Sequence, residues 1–160
     1  MREAEIKALL VDPSSNSPVV LLKDRHSSRA MPIWIGEAEA MSIALGLQQG
    51  QFPRPLSHDL MKSIIDDLQA SVEKVIISEL RDQTYYATIF LKNPNGEVVE
   101  VDARPSDSLA LALRMGSPIY VADEVFEASS IESPFEEEDA FQEFIEFGMN
   151  LSQFRRIIKS

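Results

Sequence analysis

The stretch VDARPSDSLALALRMGSPIYV, residues 101–121, decides how this sequence folds, because one kind of secondary structure gives way to another within it. Its first residues alternate as a strand does, and Pro105 restricts Arg104 to an extended conformation that ends the strand. The Leu and Ala residues that follow are strong helix formers, and Gly116 suits a helix end. The sequence therefore predicts a helix over residues 106–115, followed by a short strand.

Leucines on opposite sides of this helix predict apolar neighbours on both sides. Residues two apart differ by about 200° around a helix, so Leu109 and Leu113 face away from Leu111. A sheet can cover one side, and another helix or a second subunit must cover the other. We therefore expect a homo-oligomer, most simply a dimer.

The first part of the chain predicts three strands and then two helices. A turn-rich PSSNSP segment separates the first two strands, and the third strand ends near Trp34. The first helix follows Gly36, and its expected buried stripe consists of Ala40, Ile43, Ala44 and Leu47. The second helix is expected to take Ser57 as its N-cap, and its expected buried stripe consists of Leu60, Ile64 and Leu68.

The rest of the chain completes an α+β fold. Asn95 and Gly96 predict a hairpin between two further strands. The sum is a strand-rich mixed sheet or a partly closed barrel with three or four helices. We expect residues 1–131 to form one domain and residues 132–160 to form an acidic, amphipathic helical extension.

Composition excludes several classes of protein. A chain of 160 residues fits one domain with one appended element, and the absence of cysteine excludes disulfides and thiolate chemistry. The N-terminus MREAEIKALLVD is acidic where a signal peptide would be basic, and no apolar run approaches the roughly 20 residues of a membrane span. We therefore expect a cytoplasmic protein without a membrane partner.

The charge distribution does not favour nucleic-acid binding. The formal net charge is −11, and residues 115–154 contain ten acids and no Lys or Arg. Proteins that bind nucleic acid usually gain affinity by neutralising phosphates with Lys and Arg. Nucleic acid is therefore a partner that the charge neither supports nor excludes.

The polar residues around Pro105 support two interpretations. In the first they only end a strand and begin a helix, with Ser106 as the cap and Asp107 beside the positive end of the helix dipole. In the second, Arg104 and Ser106 bind phosphate at the helix N-terminus. Asp102 and Asp107 would then hold Mg²⁺ or Mn²⁺ through oxygen. Spacing alone does not separate these interpretations.

His58 is a second candidate for chemistry. It lies in SHD at the start of the second predicted helix, and histidine can transfer protons near neutral pH. The alternative is a solvent-facing residue in the first turn of a helix. The sequence has no GxxxxGK[ST] and no HExxH, which excludes a P-loop nucleotide triphosphatase and a zinc protease of that type.

Three blocks in this order resemble the bifunctional nuclease domain family: MPIWIGEAEAMSIALGLQQ, PRPLSHDLMKSII and VDARPSDSLALALRMGSPIYVADEV. The resemblance covers about residues 3–131 and implies a compact α+β domain that self-associates. It also implies nuclease activity, which is ascribed to some members on both DNA and RNA. The hallmark polar positions of the family fall on Glu37, His58, Asp59, Asp102, Arg104, Ser106 and Asp107.

The leading hypothesis is therefore a metal-assisted phosphodiesterase that acts on DNA, RNA or both. Glu37, Asp102 and Asp107 would hold a divalent Mg or Mn ion. Arg104 would stabilise phosphate charge, and His58 would transfer a proton. The rival hypotheses are a non-enzymatic binding or regulatory module and a small-molecule phosphate-binding protein.

Overall fold

The structure is a computed structural model that describes residues 1–49 and 52–133. Eight strands in these residues form one sheet: β1 (Arg2–Val11), β2 (Pro18–Asp24), β3 (Arg29–Trp34), β4 (Ser71–Arg81), β5 (Thr84–Lys92), β6 (Val98–Ala103), β7 (Ile119–Val121) and β8 (Ile131–Glu132). The described helices are α1 (Glu37–Gln48), α2 (Ser57–Asp67), α3 (Pro105–Met115) and α4 (Asp123–Ser129). The predicted α+β class is confirmed.

The sheet is mixed and open. Its strand order is β6-β5-β4-β7-β1-β2-β3-β8, and β4 and β7 pair in parallel. The other pairs in the described residues are antiparallel. Of the two architectures that the sequence left open, the structure has the mixed sheet, since the strands do not close into a barrel.

Local signals place the turns and helix ends. The two-residue turn between β4 and β5 uses Asp82 and Gln83, both with positive φ, as a type I′ hairpin requires. Gly96 lies in the predicted hairpin between β5 and β6 with φ 84°. The predicted end of α3 is confirmed at Gly116, which has a left-handed φ of 66°.

The helix α3 organises the core. It packs on β4 and β5, while α1 and α2 both pack on α3. Leu109 and Leu111 are both buried within this single chain, although they point to opposite sides of the helix. The structure therefore removes the reason to require a second subunit beside α3, and the homo-oligomer stays a prediction.

The predicted buried stripe of α2 is wrong. Its three residues are exposed: Leu60 50%, Ile64 50% and Leu68 67%. The one buried residue of α2 is instead His58. Because hydrogen-bonded polar groups in its first turn fix how α2 docks on α3, the apolar stripe faces away from the core.

The stripe predicted for α1 is confirmed in part. Ala40, Ile43 and Ala44 are buried, whereas Leu47 is 39% exposed and Leu45 is buried in its place. Leu45 and Leu47 are two residues apart and so lie on nearly opposite sides of α1. Leu45 is therefore enclosed, and Leu47 is left at the surface.

The helix starts differ from the prediction by one or two residues. The N-cap of α2 is Leu56 rather than Ser57, and its backbone N–H donates to the Asp59 carboxylate at 3.0 Å. The N-cap of α3 is Arg104, so Ser106 is already the second helical residue and does not cap. Proline suits the first helical position because that position needs no N–H donor.

Most of the extension predicted for residues 132–160 lies outside the described residues. Glu132 pairs with Arg29 in the sheet, and the Ser133 backbone N–H donates to the Ser28 carbonyl at 2.8 Å. The sheet therefore continues through Glu132. The longest described helix has 12 residues, and none within the described ranges is long and apolar enough to cross a membrane.

Candidate functional site

Residues of α1, α2 and α3 surround one open cavity of about 440 Å³. Its polar lining residues are Glu39, Ser42, Ser57, His58, Arg104 and Asp107. Apolar side chains, among them Leu45 and Met61, form the remaining walls. Three helices that are separated in sequence therefore contribute polar groups to one place.

His58 is held between two hydrogen-bonding partners at the wall of this cavity. Its side chain is 10% exposed, and its Nε2 lies 2.9 Å from the Asp107 Oδ1. On the other side of the ring, Nδ1 lies 2.5 Å from the Ser42 Oγ. Both nitrogens of the imidazole are therefore occupied within the chain.

Arg104 joins the same group of side chains from the solvent side. Its Nε donates to the Asp107 Oδ2 at 3.0 Å, and its Nη1 donates to the Glu39 Oε1 at 3.2 Å. Its side chain is nevertheless 65% exposed. The hydrogen bond and charge of Asp107, with a smaller contribution from Glu39, raise the pKa of Arg104 above its usual value. Arg104 is thus oriented by two carboxylates and still open to a ligand.

Asp107 connects the histidine to the arginine. Burial alone would raise the pKa of Asp107, but hydrogen bonds and charge from Arg104 and His58 lower it overall. The carboxyl group is therefore ionised at neutral pH and can only accept hydrogen bonds. By accepting from both, Asp107 fixes the positions of the His58 ring and the Arg104 guanidinium.

A second network starts at the residue after His58. The buried Arg114 side chain, 7% exposed, donates through Nε to the Asp59 Oδ1 at 2.7 Å. Its Nη1 and Nη2 donate to the backbone carbonyls of Ala110 at 2.9 Å and Ser42 at 3.1 Å. One guanidinium group therefore joins α1, α2 and α3.

This second network explains a glycine in α1. A Cβ atom on Gly46 would lie 3.0 Å from the Arg114 Nη1 and 3.3 Å from the Leu113 Cβ. The absence of a side chain lets α1 and α3 approach closely. Burial alone would raise the pKa of Asp59, but hydrogen bonds from Arg114 and from the Leu56 N–H lower it overall. The clamp therefore pairs an ionised carboxylate with a buried guanidinium.

The structure brings together three of the sequence-predicted site residues and separates the others. His58, Arg104 and Asp107 line the same cavity, whereas Glu37 and Asp102 do not. Residues two apart on a helix face opposite ways, so Glu39 points to the cavity and Glu37 to solvent. Successive strand residues alternate faces too.

The alternation of side chains along β6 explains why Asp102 does not line the cavity. Its neighbour Ala103 packs against the core, which directs the Asp102 side chain to the other face of β6. Ser106 is buried and lines a neighbouring cavity of about 320 Å³ that also includes Arg104. The expected phosphate-binding pair therefore shares a cavity, but the Ser106 side chain is largely enclosed.

The acids predicted to hold a metal do not form a metal site here. Within residues 1–49 and 52–133, no three His, Cys, Asp or Glu side chains are placed so that they could hold an ion. The Asp107 oxygens already accept hydrogen bonds from His58 and Arg104. As placed, Glu37, Asp102 and Asp107 do not converge on one point, and the binding of Mg²⁺ or Mn²⁺ stays a prediction.

Sequence reasoning missed Ser42, Glu39 and Arg114. Ser42 lies inside the apolar run AMSIALGL, where a serine carries no signal of its own. A helical projection places Ser42 on the same side of α1 as Glu39, three residues away, but Glu39 was not a predicted site residue either. The link from Arg114 to Asp59 spans 55 positions of sequence and has no local pattern.

Together, the fold and the site define a class: an α+β domain with an open mixed sheet, in which three helices carry a histidine-centred polar cavity. A model of the bifunctional nuclease domain matches residues 20–134, which is most of the chain. The chain belongs to the bifunctional nuclease domain family.

Relatives fall into two groups. An uncharacterized protein of Mycobacterium tuberculosis (strain ATCC 25618 / H37Rv) is 41% identical over 140 residues, covering 87% of this chain and 82% of the relative. Bifunctional nuclease 1 of Oryza sativa subsp. indica is 26% identical over 114 residues, covering 70% of this chain and 34% of the relative. Bifunctional nuclease 1 of Arabidopsis thaliana is also 26% identical over 114 residues, covering 35% of its own length. The chain thus spans about a third of these plant proteins.

Proposed function

We propose that this protein is a nuclease that hydrolyses phosphodiester bonds of DNA, RNA or both at the cavity around His58. One observation carries the proposal: a buried histidine is oriented by Asp107 beside the exposed guanidinium of Arg104. Membership of the family and the plant relatives called bifunctional nucleases support the same reaction class.

In this proposal His58 transfers a proton. An ionised Asp107 can only accept, so Nε2 of the neutral ring carries the hydrogen and Nδ1 keeps its lone pair. That lone pair points to Ser42 and to the cavity, where a nucleophile would lose its proton. General acid–base catalysis of this kind contributes about 10²- to 10⁴-fold in rate.

Arg104 would bind the phosphate. Guanidinium groups recognise phosphate oxygens through paired, charge-assisted hydrogen bonds. The carboxylates of Glu39 and Asp107 hold the Arg104 side chain in place, so little conformational entropy is lost when phosphate binds. Asp107 acts through its two neighbours and is a positioning residue.

The second candidate is a non-enzymatic binding or regulatory module, or a small-molecule phosphate-binding protein. A specific observation favours it: Arg104, Asp107, Glu39 and His58 are paired with one another, as in a cluster that only joins helices. The net charge of −11 is also unfavourable for a nucleic-acid ligand.

A nuclease assay separates these candidates. Highly purified protein is incubated with end-labelled single- and double-stranded DNA and RNA, in Mg²⁺, in Mn²⁺ and in EDTA. We expect cleavage that falls about 100-fold in His58→Ala and falls strongly in Arg104→Ala. His26→Ala and Arg54→Ala are matched controls outside the cavity and should cleave normally.

Undiminished cleavage by His58→Ala would assign the activity to another site or to a contaminant. The EDTA arm tests the metal requirement by itself. If no substrate is cleaved but inorganic phosphate binds and the Arg104→Ala change abolishes its binding, the phosphate-binding candidate is correct.

A further inference from the structure

Ser42 has the surroundings of an activated nucleophile. A catalytic serine is recognised by a base within hydrogen-bonding distance, which is in turn oriented by a third group. Here the Ser42 Oγ lies 2.5 Å from the His58 Nδ1, and the opposite ring nitrogen lies 2.9 Å from Asp107. Ser42, His58 and Asp107 come from α1, α2 and α3, so the tertiary fold, rather than a sequence motif, brings the serine, the base and the orienting carboxylate together.

The direction of the hydrogen bonds follows from Asp107. Because its ionised carboxylate accepts from Nε2, the Nδ1 of neutral His58 has no hydrogen to donate. The Ser42 hydroxyl must therefore donate to Nδ1, which is the direction in which a base removes a proton. Compared with the usual serine triad, the two ring nitrogens exchange roles, and either nitrogen can act as the base.

Ser42 is also placed to meet a phosphate. It lines the cavity of about 440 Å³ together with Arg104, whose guanidinium is exposed. Its backbone is fixed, since the buried Arg114 donates to the Ser42 carbonyl at 3.1 Å. Ser57 lines the same cavity, but both nitrogens of His58 are already occupied by other groups. Ser42 is therefore the cavity serine that is bonded to the base.

We propose that Ser42 is a catalytic nucleophile and forms a covalent phosphodiester intermediate, in which its Oγ is joined to the phosphorus of the substrate. This inference rests on the proposed nuclease function for its substrate class. In the first step, the Ser42 Oγ forms a bond to phosphorus while its proton moves to the His58 Nδ1. The P–O bond to the leaving nucleoside breaks, and that oxygen takes the proton from His58.

The second step restores the enzyme. His58 Nδ1 takes a proton from water, and the hydroxide oxygen forms a bond to phosphorus. The bond between phosphorus and the Ser42 Oγ breaks, and Oγ recovers a proton from His58. The sum is one phosphodiester and one water converted to an alcohol and a phosphomonoester. Arg104 stabilises the charge on the phosphoryl oxygens in both steps.

The test is reaction of the intact protein with a fluorophosphonate probe, whose phosphorus bonds to an activated serine as fluoride leaves. The labelled residue is assigned by fragmentation mass spectrometry. We expect labelling at Ser42 rather than Ser57, none at position 42 in Ser42→Ala, and a rate at least about 100-fold lower in His58→Gln. Ser63→Ala, an exposed serine of α2 outside the cavity, is the control and should label normally.

The outcomes keep this inference separate from the proposed function. Labelling at Ser42 without cleavage of any nucleic acid would support the nucleophile and contradict the nuclease. Nucleic-acid cleavage that is unchanged in Ser42→Ala, with no label on Ser42 in the wild type, would overturn the nucleophile and leave the nuclease intact. Circular dichroism of Ser42→Ala and His58→Gln excludes loss of labelling through unfolding. Equal labelling of several serines would also overturn the proposal.

Discussion

Two adjacent residues, His58 and Asp59, anchor two polar networks of similar composition and different character. His58 contacts Asp107, which pairs with Arg104, a side chain that is 65% exposed. Asp59 pairs with Arg114, a side chain that is 7% exposed. Each network therefore combines a carboxylate with an arginine beside the same turn of α2.

The difference lies in what remains available. The Arg114 guanidinium donates hydrogen bonds to Asp59 and to the carbonyls of Ala110 and Ser42, all within the chain. Arg104 donates two hydrogen bonds to the carboxylates of Asp107 and Glu39, and the rest of its guanidinium faces solvent. Burial and the nature of the acceptors thus separate a structural ion pair from one that can meet a ligand. Arginine–carboxylate pairing by itself does not indicate a function.

The largest expected effect is the loss of the buried clamp. Arg114→Ala should lower the free energy of unfolding by about 3 kcal/mol, because it leaves Asp59 and two carbonyls without their partner. Arg104→Ala, the matched change in the exposed network, should cost less than about 1 kcal/mol. Urea unfolding at neutral pH measures both. Equal losses would show that the two networks do not differ in the way described.

Acid should weaken the fold through both carboxylates. The pKa of Asp59 and that of Asp107 are lowered from 3.8 in the folded protein, because the pairing outweighs burial. Their contribution to stability is therefore present above the unfolded value near 3.8 and is lost as pH falls through the lower folded values. The free energy of unfolding, measured by urea from pH 6 to pH 2, should fall most steeply below about pH 4.

The variant Asp59→Asn isolates the contribution of the clamp to this acid sensitivity. It should be less stable than the wild type at neutral pH and should lose less stability on acidification. An unchanged acid slope in Asp59→Asn would show that Asp59 does not have the depressed pKa.

The smallest expected effect concerns the outer side of α2. Ile64 is half exposed, so Ile64→Lys should change the free energy of unfolding by less than about 0.5 kcal/mol. Val75→Ala, in the core, is the contrasting change and should cost clearly more. A loss above about 2 kcal/mol in Ile64→Lys would show that this face is covered in solution. Sedimentation of the wild type and of Ile64→Lys at micromolar concentration then tests the predicted homo-oligomer directly.

The parts of the fold that the sequence predicts are those with local causes. Pro105 and Gly116 delimit α3 through backbone geometry, and the alternation of β4, β5 and β6 is visible in the residues themselves. The orientation of α2 was mispredicted because hydrophobic spacing favoured Leu60, Ile64 and Leu68, whereas the polar anchors at His58 and Asp59 decide which side docks.

The site was predictable to the same extent. His58, Arg104 and Asp107 have residue types and helix-start positions that suggest chemistry, and the structure brings them together. Glu37 and Asp102 have suitable residue types but project from the wrong side of their elements. Ser42 could not be found by type or neighbourhood, because its contact to His58 exists only once α1 and α2 pack on α3.

The most direct test of the two-network account is to measure cleavage and thermal stability together in His58→Gln and Asp59→Asn, which differ by one position in the chain. We predict that His58→Gln loses cleavage by about 100-fold and keeps a melting temperature within a few degrees of the wild type. Asp59→Asn should show the reverse, with a lowered melting temperature and cleavage retained below it. If both variants lose cleavage in proportion to their loss of stability, His58 is a structural residue and the account is wrong.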